Sequence, residues 1–424
     1  MIELKNWIRL SIVLRVCAIL AWSIALTNVG AADTLRVVAY NALNFRGAAD
    51  SDRLDDFRIV MQAISPDIAA MQEIIYEDAV DHLLSFAFLP VNDDWAAAEF
   101  MNGPDTDNAL FYRTSKARLI SQRAIATTLR DINEYVLAPA AGDTTIRFRI
   151  YSAHLKASQG ADNEERRRQE CATLRQQLNL LPGGSLFMMV GDFNLYTSAE
   201  PAYQLLLSAD TNPNGQLFDP INRPGEWHAT VSFADIHTQS PRTTSFGGGA
   251  TGGIDDRFDF ILVSAAWMDT AGSYVLPATH RAFGNDGQHF NQAVNDGYNA
   301  AVPDSVADAL HYASDHLPVV VDVVVRPEPA GVTEIAWQPE RPELFTCYPN
   351  PFNGTVTMEI PPQHAPIDVA AFDVLGRRVL ECRVISNGST IHLPIDFGGM
   401  AGGTYLIRAS TPAVSAVQRV VFIP

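Results

Sequence analysis

The fold is decided by Leu186-Phe187-Met188-Met189-Val190-Gly191-Asp192-Phe193-Asn194, an apolar run that ends in a glycine, an aspartate and an asparagine. The apolar residues predict a buried strand. The glycine permits a tight exit from that strand, after which the side chains of Asp192 and Asn194 project on the same side. An Asx-type turn that only closes the strand is the alternative. The length of the apolar run favours a functional site.

Five further polar motifs lie at the end of an apolar run or inside one. They are Val38-Ala39-Tyr40-Asn41, Met71-Gln72-Glu73, Ser152-Ala153-His154-Leu155-Lys156, Arg257-Phe258-Asp259 and Ser314-Asp315-His316. A sheet would carry these side chains to one edge, which brings together amides, carboxylates and two imidazoles. Hard oxygen ligands beside imidazoles suit Mg²⁺ or Mn²⁺ and the cleavage of a phosphate ester.

Residues 33–326 alternate between strand-like and helical stretches. Apolar residues at helical spacing predict a helix from Leu54 to Ile64, and Pro66-Asp67 then opens a strand at Ile68. A second helix is predicted from Glu165 to Leu181, with leucines on one side and solvent-facing arginines on the other. Repeated alternation with buried strands predicts an α/β sandwich domain.

Residues 327–344 are rich in proline and acidic side chains and have no apolar periodicity, which is typical of a linker. Short β-branched runs separated by glycine and proline follow in residues 345–424. They predict a small all-β sandwich.

Residues 1–32 have the pattern of a secretory signal peptide: basic residues, an apolar run from Val16 to Leu26, and small residues at Ala31 and Ala32. A membrane anchor is the alternative, but Arg15 interrupts the run and the rest is too short to span a bilayer. The pattern therefore predicts export. Of the cysteines that would remain, Cys347 and Cys382 could form a disulfide, although their separation cannot be deduced from the sequence.

The net charge of −18 is unusual for a protein that binds a polyanion. It argues against tight, salt-sensitive binding to long duplexes. It leaves room for a hydrolase that makes a few local phosphate contacts and recruits divalent cations.

The six motifs, in their order along the chain, resemble those of the endonuclease/exonuclease/phosphatase superfamily. Its members include deoxyribonuclease-I-like nucleases and several phosphatases. The resemblance implies a four-layer α/β sandwich of the deoxyribonuclease-I type over residues 33–326. It also implies a bound Mg²⁺ or Mn²⁺. In this family the glutamate that matches Glu73 is the main metal ligand, and the residues that match Asn41 and Asp315 assist it. Asn108 and Asn194 match positions that contact the substrate.

The resemblance also assigns catalytic roles. Asp192 would orient or deprotonate the attacking water, and Asn194 would bond the scissile phosphate. His154 would neutralise the transition state or protonate the leaving oxygen. His316 would contact the phosphate or act as a base, oriented by Asp259. The nearby Asp255 and Asp256 leave the choice of orienting aspartate open. Asp107-Asn108 could supply the partner of His154 or a phosphate contact.

Residues 345–424 resemble the C-terminal sorting domain of type IX secretion cargo. The resemblance rests on Tyr348-Pro349-Asn350-Pro351-Phe352-Asn353, on Phe372-Asp373-Val374-Leu375-Gly376-Arg377 and on Gly402-Gly403-Thr404-Tyr405. It implies an interaction with the type IX secretion machinery and passage to the cell surface or medium of a Gram-negative bacterium. A β-sandwich accessory module is the alternative.

Together these features predict a secreted, metal-dependent phosphodiesterase, with nucleic acid as the expected substrate and DNA or RNA cleaved by in-line attack of water. A lipid or small-molecule phosphohydrolase of the same superfamily is one alternative, and a non-catalytic surface binding protein on the same scaffold is another. The polar insertion at residues 284–291 could shape specificity or bind a structural Ca²⁺. The run Arg166-Arg167-Arg168 could face phosphates, although a solvent-facing helix surface is the simpler interpretation.

Overall fold

The computed structural model describes residues 33–141, 145–209, 212–245, 247–326, 345–362, 366–385, 389–411 and 415–424. The chain divides into two compact units, one that ends at Ala330 and one that begins at Gly331. The predicted signal peptide and linker lie outside the described residues and stay predictions. Within the described ranges, no helix is long and apolar enough to span a bilayer.

The first unit contains twelve strands and five α-helices among its described residues. The strands are β1 (Asp33–Phe45), β2 (Ile68–Ile74), β3 (Trp95–Ala97), β4 (Asp107–Arg113), β5 (Ala117–Ile125), β6 (Ile132–Pro139), β7 (Phe148–His154), β8 (Leu186–Asp192), β9 (Leu217–Phe218), β10 (Asp259–Ser264), β11 (Tyr274–Ala282) and β12 (Val319–Val325). The helices are α1 (Leu54–Ile64), α2 (Glu77–His82), α3 (Ala161–Leu178), α4 (Pro201–Leu207) and α5 (Asp304–Ala313). Short 3₁₀ and π segments cover Gly47–Arg53, Leu83–Phe88, Pro213–Gly215, Val231–Ile236 and Ala265–Met268.

The strands form two six-stranded sheets with the same internal plan. Their orders are β11-β12-β1-β2-β4-β3 and β5-β6-β7-β8-β10-β9. Each sheet has one parallel pair near its centre, β1 with β2 and β7 with β8, and its other pairs are antiparallel. Parallel neighbours need a crossover, which α1 and α3 supply. The carboxyl ends of each parallel pair therefore lie at one edge of their sheet.

The two sheets pack face to face and each carries helices on its outer side. One apolar cluster fills the space between the sheets with residues such as Val37, Ile150 and Val321. A second cluster joins the outer face of the first sheet to α1 and α5. A third joins the outer face of the second sheet to α3 and α4. This confirms the expected four-layer α/β sandwich of the deoxyribonuclease-I type.

Helix α1 has the bounds that its periodicity predicts. Its buried residues are Leu54, Phe57, Val60, Met61 and Ile64. The helix ends because Ser65 adopts a left-handed conformation, with φ of 52°, while its N–H donates to the carbonyl of Met61. The apolar stripe therefore fixes both the length of α1 and the face it turns to the sheet.

Helix α3 differs from its prediction. It begins at Ala161 and ends at Leu178, and its arginines do not share one solvent face. Arg166 is exposed, as predicted, but Arg167 is fully buried. The Arg167 guanidinium pairs with Glu200 at 2.8 Å, so the solvent-facing interpretation is wrong for this residue. A buried charge with a partner is stable where an unpaired one would not be.

The second unit is all-β, as predicted. Its strands are β13 (Thr346–Tyr348), β14 (Thr355–Ile360), β15 (Ile367–Asp373), β16 (Arg378–Val384), β17 (Ile391–Asp396), β18 (Gly403–Ser410) and β19 (Ser415–Phe422). They form a three-stranded sheet, β13-β14-β17, and a four-stranded sheet, β16-β15-β18-β19, around one apolar core. Cys347 and Cys382 are free thiols, so the two do not form a disulfide.

Candidate active site

Polar side chains from both sheets meet where the parallel strands end. Asn41 and Glu73 lie near the ends of the paired strands β1 and β2. His154 and Asp192 are the last residues of β7 and β8, and they are register partners. Asp259 begins the antiparallel strand β10 opposite Asp192. The edge predicted from the sequence therefore exists, and both sheets contribute to it.

The side-chain amide of Asn41 links the two sheets. Its Nδ2 donates to Glu73 Oε1 at 3.0 Å and to Asp192 Oδ2 at 3.1 Å. Its Oδ1 accepts from the backbone N–H of Leu43 at 2.9 Å, which fixes the orientation of the amide. Asn41 thus holds two carboxylate oxygens close together, where their charges alone would push them apart.

Glu73, His154 and Asp192 form a cluster whose ligand atoms lie within 4.8 Å of one another. The Nε2 atom of His154 is 3.7 Å from Glu73 Oε1 and 3.4 Å from Asp192 Oδ2. Two carboxylates and one imidazole are a donor set that fits Mn²⁺ or Mg²⁺, and the carboxylate oxygens are what Mg²⁺ prefers. The buried Nδ1 of His154 has no hydrogen-bond partner among the described residues.

Burial dominates the ionisation of this cluster. It raises the pKa of Glu73, and it raises the pKa of Asp192 to about 7, with the charges of Asp259 and Glu73 adding to the shift. Burial, followed by the cations Arg130, His316 and Lys156, holds the pKa of His154 well below its usual value. A divalent cation would offset the repulsion of the two carboxylates and would accept the neutral imidazole as a ligand.

His316 and Asp259 form a buried dyad beside the cluster. His316 Nδ1 is 2.7 Å from Asp259 Oδ2, and its Nε2 is 3.7 Å from Asp192 Oδ2. Burial alone would lower the pKa of His316, but the carboxylates of Asp259, Asp192 and Asp315 outweigh it and raise the pKa well above 6.5. These carboxylates favour the imidazolium form of His316. Asp259, rather than Asp255 or Asp256, is the aspartate that orients it.

The side-chain amide of Gln239 also contacts this dyad, at 2.6 Å from His316 Nε2. The amide atom nearest the ring is Gln239 Nε2, which only donates; beside a protonated His316 Nε2 the amide must be turned so that its oxygen accepts. Gln239 lies opposite His316 in an isolated antiparallel bridge, and no motif of the sequence marks it. A glutamine in a loop, contacting a residue far along the chain, offers no spacing signal from which to predict it.

Asn194 turns back toward Asp192. Its backbone N–H donates to Asp192 Oδ1 at 3.0 Å, and its Nδ2 donates to the carbonyl of Leu155 at 3.2 Å. Gly191 permits this geometry, because a Cβ at that position would lie 2.2 Å from the carbonyl oxygen of Ala153. The glycine of the opening motif is thus required by the close approach of β7 and β8.

Asn108 is buried, and its side chain bonds to residues outside the cluster. Its Oδ1 accepts from Ser152 Oγ at 3.0 Å, and its Nδ2 donates to the carbonyl of Asp131 at 3.1 Å. Gln72 Nε2 donates in turn to Ser152 Oγ at 2.9 Å. These hydrogen bonds connect Gln72 on β2 and Asn108 on β4 to Ser152 on β7. The contact of Asn108 with substrate stays a prediction.

Asp315 lies beside the cluster without belonging to it. Its Oδ2 accepts from the backbone N–H of Ala250 at 2.6 Å. Its charge adds to the effect of burial in raising the pKa of Glu73. The assignment of Asp315 as a metal ligand stays a prediction.

The backbone near the site is strained in four places. Leu43, Asn44, Glu73 and Asn194 have φ values of 49°, 46°, 60° and 52°. Left-handed conformations cost roughly 1 to 3 kcal/mol each and concentrate at functional sites. Glu73 gains a compensating contact, because its Oε2 accepts from the N–H of Asn44 at 2.8 Å.

A sequence profile described as the Endonuclease/Exonuclease/phosphatase family matches residues 38–316. The chain belongs to this family. The match runs from the strand that carries Asn41 to His316, and so it spans every predicted catalytic and metal-ligating residue. The first unit is thus a phosphoesterase domain of this family. Its site includes a candidate divalent-metal cluster.

A second profile, described as a secretion system C-terminal sorting domain, matches residues 346–423. It corresponds to the all-β second unit. The protein is therefore cargo of the type IX secretion system, sent to the cell surface or the medium. No curated protein matches the chain.

Several solved structures are similar to the chain. One is truncated Caenorhabditis elegans TDP2, with 14% identity, coverage of 68% of this chain and 97% of that one, and a TM-score of 0.44. Another is the human Nocturnin catalytic domain with a bound sulfate anion, with 20% identity, 69% and 97% coverage, and a TM-score of 0.42. A third is a family protein from Bacteroides thetaiotaomicron, with 16% identity, 70% and 100% coverage, and a TM-score of 0.43.

Proposed function

We propose that the protein is a secreted, divalent-metal-dependent phosphodiesterase that hydrolyses DNA or RNA. The observation that carries the proposal is the meeting of Glu73, His154 and Asp192 within 4.8 Å, beside the imidazolium of His316. Membership of a family whose description names endonucleases and exonucleases supports a nucleic acid substrate. Secretion agrees with a substrate outside the cell.

Glu73 would be the principal ligand of a divalent cation, with His154 and Asp192 within reach of the same ion. A cation held there would supply Lewis-acid stabilisation of the negative charge on the phosphate and the leaving oxygen. Asn41 would act by aligning the carboxylates, because its Nδ2 is the atom that faces Glu73 and Asp192.

Asp192 would orient the attacking water and take its proton. In the metal-free protein, burial raises the pKa of Asp192 to about 7, so this carboxylate is more basic than an ordinary one, which suits a general base. The hydrogen bond from Asn194 holds the carboxylate in place while the other oxygen faces the cluster.

His316 would bind the phosphoryl oxygen and stabilise the charge that develops there. Asp259 keeps the ring protonated and oriented, so the charge is in place before the reaction. His154 is neutral at this pH, which suits a ligand or hydrogen-bond donor better than a general acid. Arg130 and Lys156 add positive charge on the same side, in a protein that is otherwise acidic.

The test is hydrolysis of plasmid DNA, RNA and bis(p-nitrophenyl) phosphate by the mature protein with Mg²⁺, Mn²⁺ or EDTA. Asp192→Asn removes the base and should lower kcat by about a hundredfold or more, the usual contribution of a positioned proton acceptor. Asp55→Asn is the matched control, since Asp55 is an exposed carboxylate on α1.

Metal-dependent cleavage of nucleic acid that is lost in Asp192→Asn and kept in Asp55→Asn supports the proposal. Cleavage of the small diester alone would replace it with a small-molecule phosphohydrolase. Equal activity in EDTA would remove the metal from the proposal, and no hydrolysis with either metal would favour a binding protein on the same scaffold.

A further inference from the structure

A second histidine–aspartate pair lies near the candidate active site. His228 Nδ1 is 2.6 Å from Asp256 Oδ1. The side chain of His228 is 38% exposed, whereas that of His316 is 3% exposed. Among the described residues, no group bonds the other ring nitrogen, Nε2. The pair therefore presents one fixed imidazole nitrogen to solvent.

Backbone pairing connects Asp256 to the catalytic dyad. The N–H of Asp256 donates to the carbonyl of Gln239 at 3.0 Å, and the N–H of Gln239 donates back at 3.1 Å. The side chain of Gln239 contacts His316. Burial raises the pKa of Asp256 to about 6, and the nearby His316 opposes that shift. Gln239 therefore connects Asp256, whose carboxylate bonds His228, to His316 of the dyad.

Tyr196 connects His228 to the other side of the site. The N–H of His228 donates to the carbonyl of Tyr196 at 3.1 Å. The two rings meet edge to face, with centroids 5.3 Å apart. Tyr196 lies two residues after Asn194, and burial followed by the charges of Asp256 and Asp192 raises its pKa to about 12. His228 is thus held between segments that both carry catalytic side chains.

Another pair in the same unit shows what a purely structural histidine–aspartate contact looks like. His289 Nδ1 is 2.8 Å from Asp286 Oδ1, and its Nε2 is 3.2 Å from the carbonyl of Asp296. His289 is buried and both ring nitrogens have partners. His228 differs in both respects. A ring that is oriented by a carboxylate and open at Nε2 is suited to donate to an anion.

We infer that His228 is a substrate-contacting residue that binds the phosphate next to the scissile one. This inference rests on the proposed function and names its substrate class: a chain with at least two consecutive phosphates, rather than an isolated phosphodiester. Tyr196, edge-on to His228, keeps the ring at a fixed angle. Asp256 is a positioning residue that acts through His228.

The test compares two substrates in the full-length protein with Mg²⁺. One is a short oligonucleotide, and the other is bis(p-nitrophenyl) phosphate, which has a single phosphate. His228→Ala should lose about tenfold or more in kcat/KM on the oligonucleotide relative to the small diester, as expected for a charge-assisted hydrogen bond. The loss should be in KM, because the contact lies away from the reacting atoms.

A neutral methylphosphonate linkage next to the cleaved one supplies the second half of a double-mutant cycle. If His228 binds that phosphate, His228→Ala and the neutral linkage should not be additive. His228→Gln keeps a donor and should recover part of the loss. His82→Ala is the matched control, because His82 also contacts an aspartate, Asp78, but lies on α2.

The two proposals fail in different ways. If the wild type cleaves the oligonucleotide but His228→Ala changes both substrates equally, or the cycle is additive, this inference is overturned and the proposed function stands. If the wild type cleaves the small diester but no nucleic acid, both are overturned. A change in His82→Ala equal to that in His228→Ala would also overturn the inference.

Discussion

The burial of Asp192 has an electrostatic cost. A carboxylate buried with Glu73 and Asp259 nearby is disfavoured in its charged form, which is why its pKa rises to about 7. A fold keeps such a group only where other interactions compensate for it. Asn41 and Asn194 supply part of that compensation through hydrogen bonds, and a bound cation would supply more.

The raised pKa of Asp192 predicts how the free energy of unfolding depends on pH in the absence of metal. The pKa of Asp192 is higher in the folded protein than its ordinary value of 3.8, so the folded state holds the proton more tightly. The wild type should therefore lose stability relative to Asp192→Asn as pH rises from about 4 to about 7, and the difference should be constant above that. In EDTA, the difference in melting temperature should change by on the order of a few degrees across this range.

Adding Mg²⁺ above pH 7 should raise the melting temperature of the wild type more than that of Asp192→Asn, since the cation relieves repulsion that the variant lacks. Differential scanning calorimetry in EDTA and in Mg²⁺ measures both effects. A wild type that gains stability relative to the variant as pH rises would contradict the raised pKa of Asp192.

The same ionisation predicts how metal affinity depends on pH. A cation must displace the proton of Asp192, and of Glu73 where its raised pKa leaves it protonated. The Kd for Mn²⁺ should therefore fall about tenfold per pH unit below about pH 7 and level off above it. Isothermal titration calorimetry across this range measures the slope. A Kd that does not change with pH would show that the cation binds elsewhere.

Among the elements, the glycine-rich loop at residues 247–253 has a defined contact with the site. Gly249 has φ of 81°, and a Cβ there would lie 2.6 Å from Asp315 Oδ2 and 2.8 Å from Leu43 Cδ1. Gly249→Ala should displace Asp315 and lower kcat/KM by about tenfold to a hundredfold, as small misplacements in a catalytic site do.

Gly247→Ala is the matched control for that prediction. Gly247 also has a positive φ, 63°, but a Cβ there meets no atom within 4 Å. Both variants share the backbone strain of about 1–2 kcal/mol, so a kinetic loss seen only in Gly249→Ala reports the contact of that position with Asp315 and Leu43. Equal kinetic losses in the two would show that strain in the loop, and not its contact with Asp315, affects the reaction.

Other elements show how far the sequence alone could go. Helix α1 has the bounds that periodicity predicts, because its apolar residues bury one continuous face. Asp192 and His154 could be placed at one edge because both end parallel strands. These are local signals, and local signals survive folding where tertiary contacts agree with them.

Contacts between distant segments could not be predicted in this way. Gln239 and His228 lie in loops outside any periodic stretch, and their roles depend on bonds to His316 and Asp256. The burial of Arg167 depends on Glu200, which lies on the segment before α4. No spacing within the sequence encodes partners that only the packed sheets bring together.

At the scale of the whole molecule, the chain combines an acidic hydrolase with a sorting domain of balanced charge. The two compact units have separate apolar cores, so each has its own source of stability. The two six-stranded sheets, the cluster and the dyad all belong to the first unit. Catalysis should therefore not require the second unit.

This separation predicts the result of a truncation. Protein that ends at Arg326 should fold and keep the kcat/KM of the full chain, because it retains every residue of the cluster and the dyad. In calorimetry the full chain should show two transitions, and the truncated protein should keep only that of the first unit. In the source bacterium, the truncated protein should stay on the inner side of the outer membrane, since the sorting domain is its address. An active full chain whose truncated form is folded but inactive would show instead that the second unit completes the site.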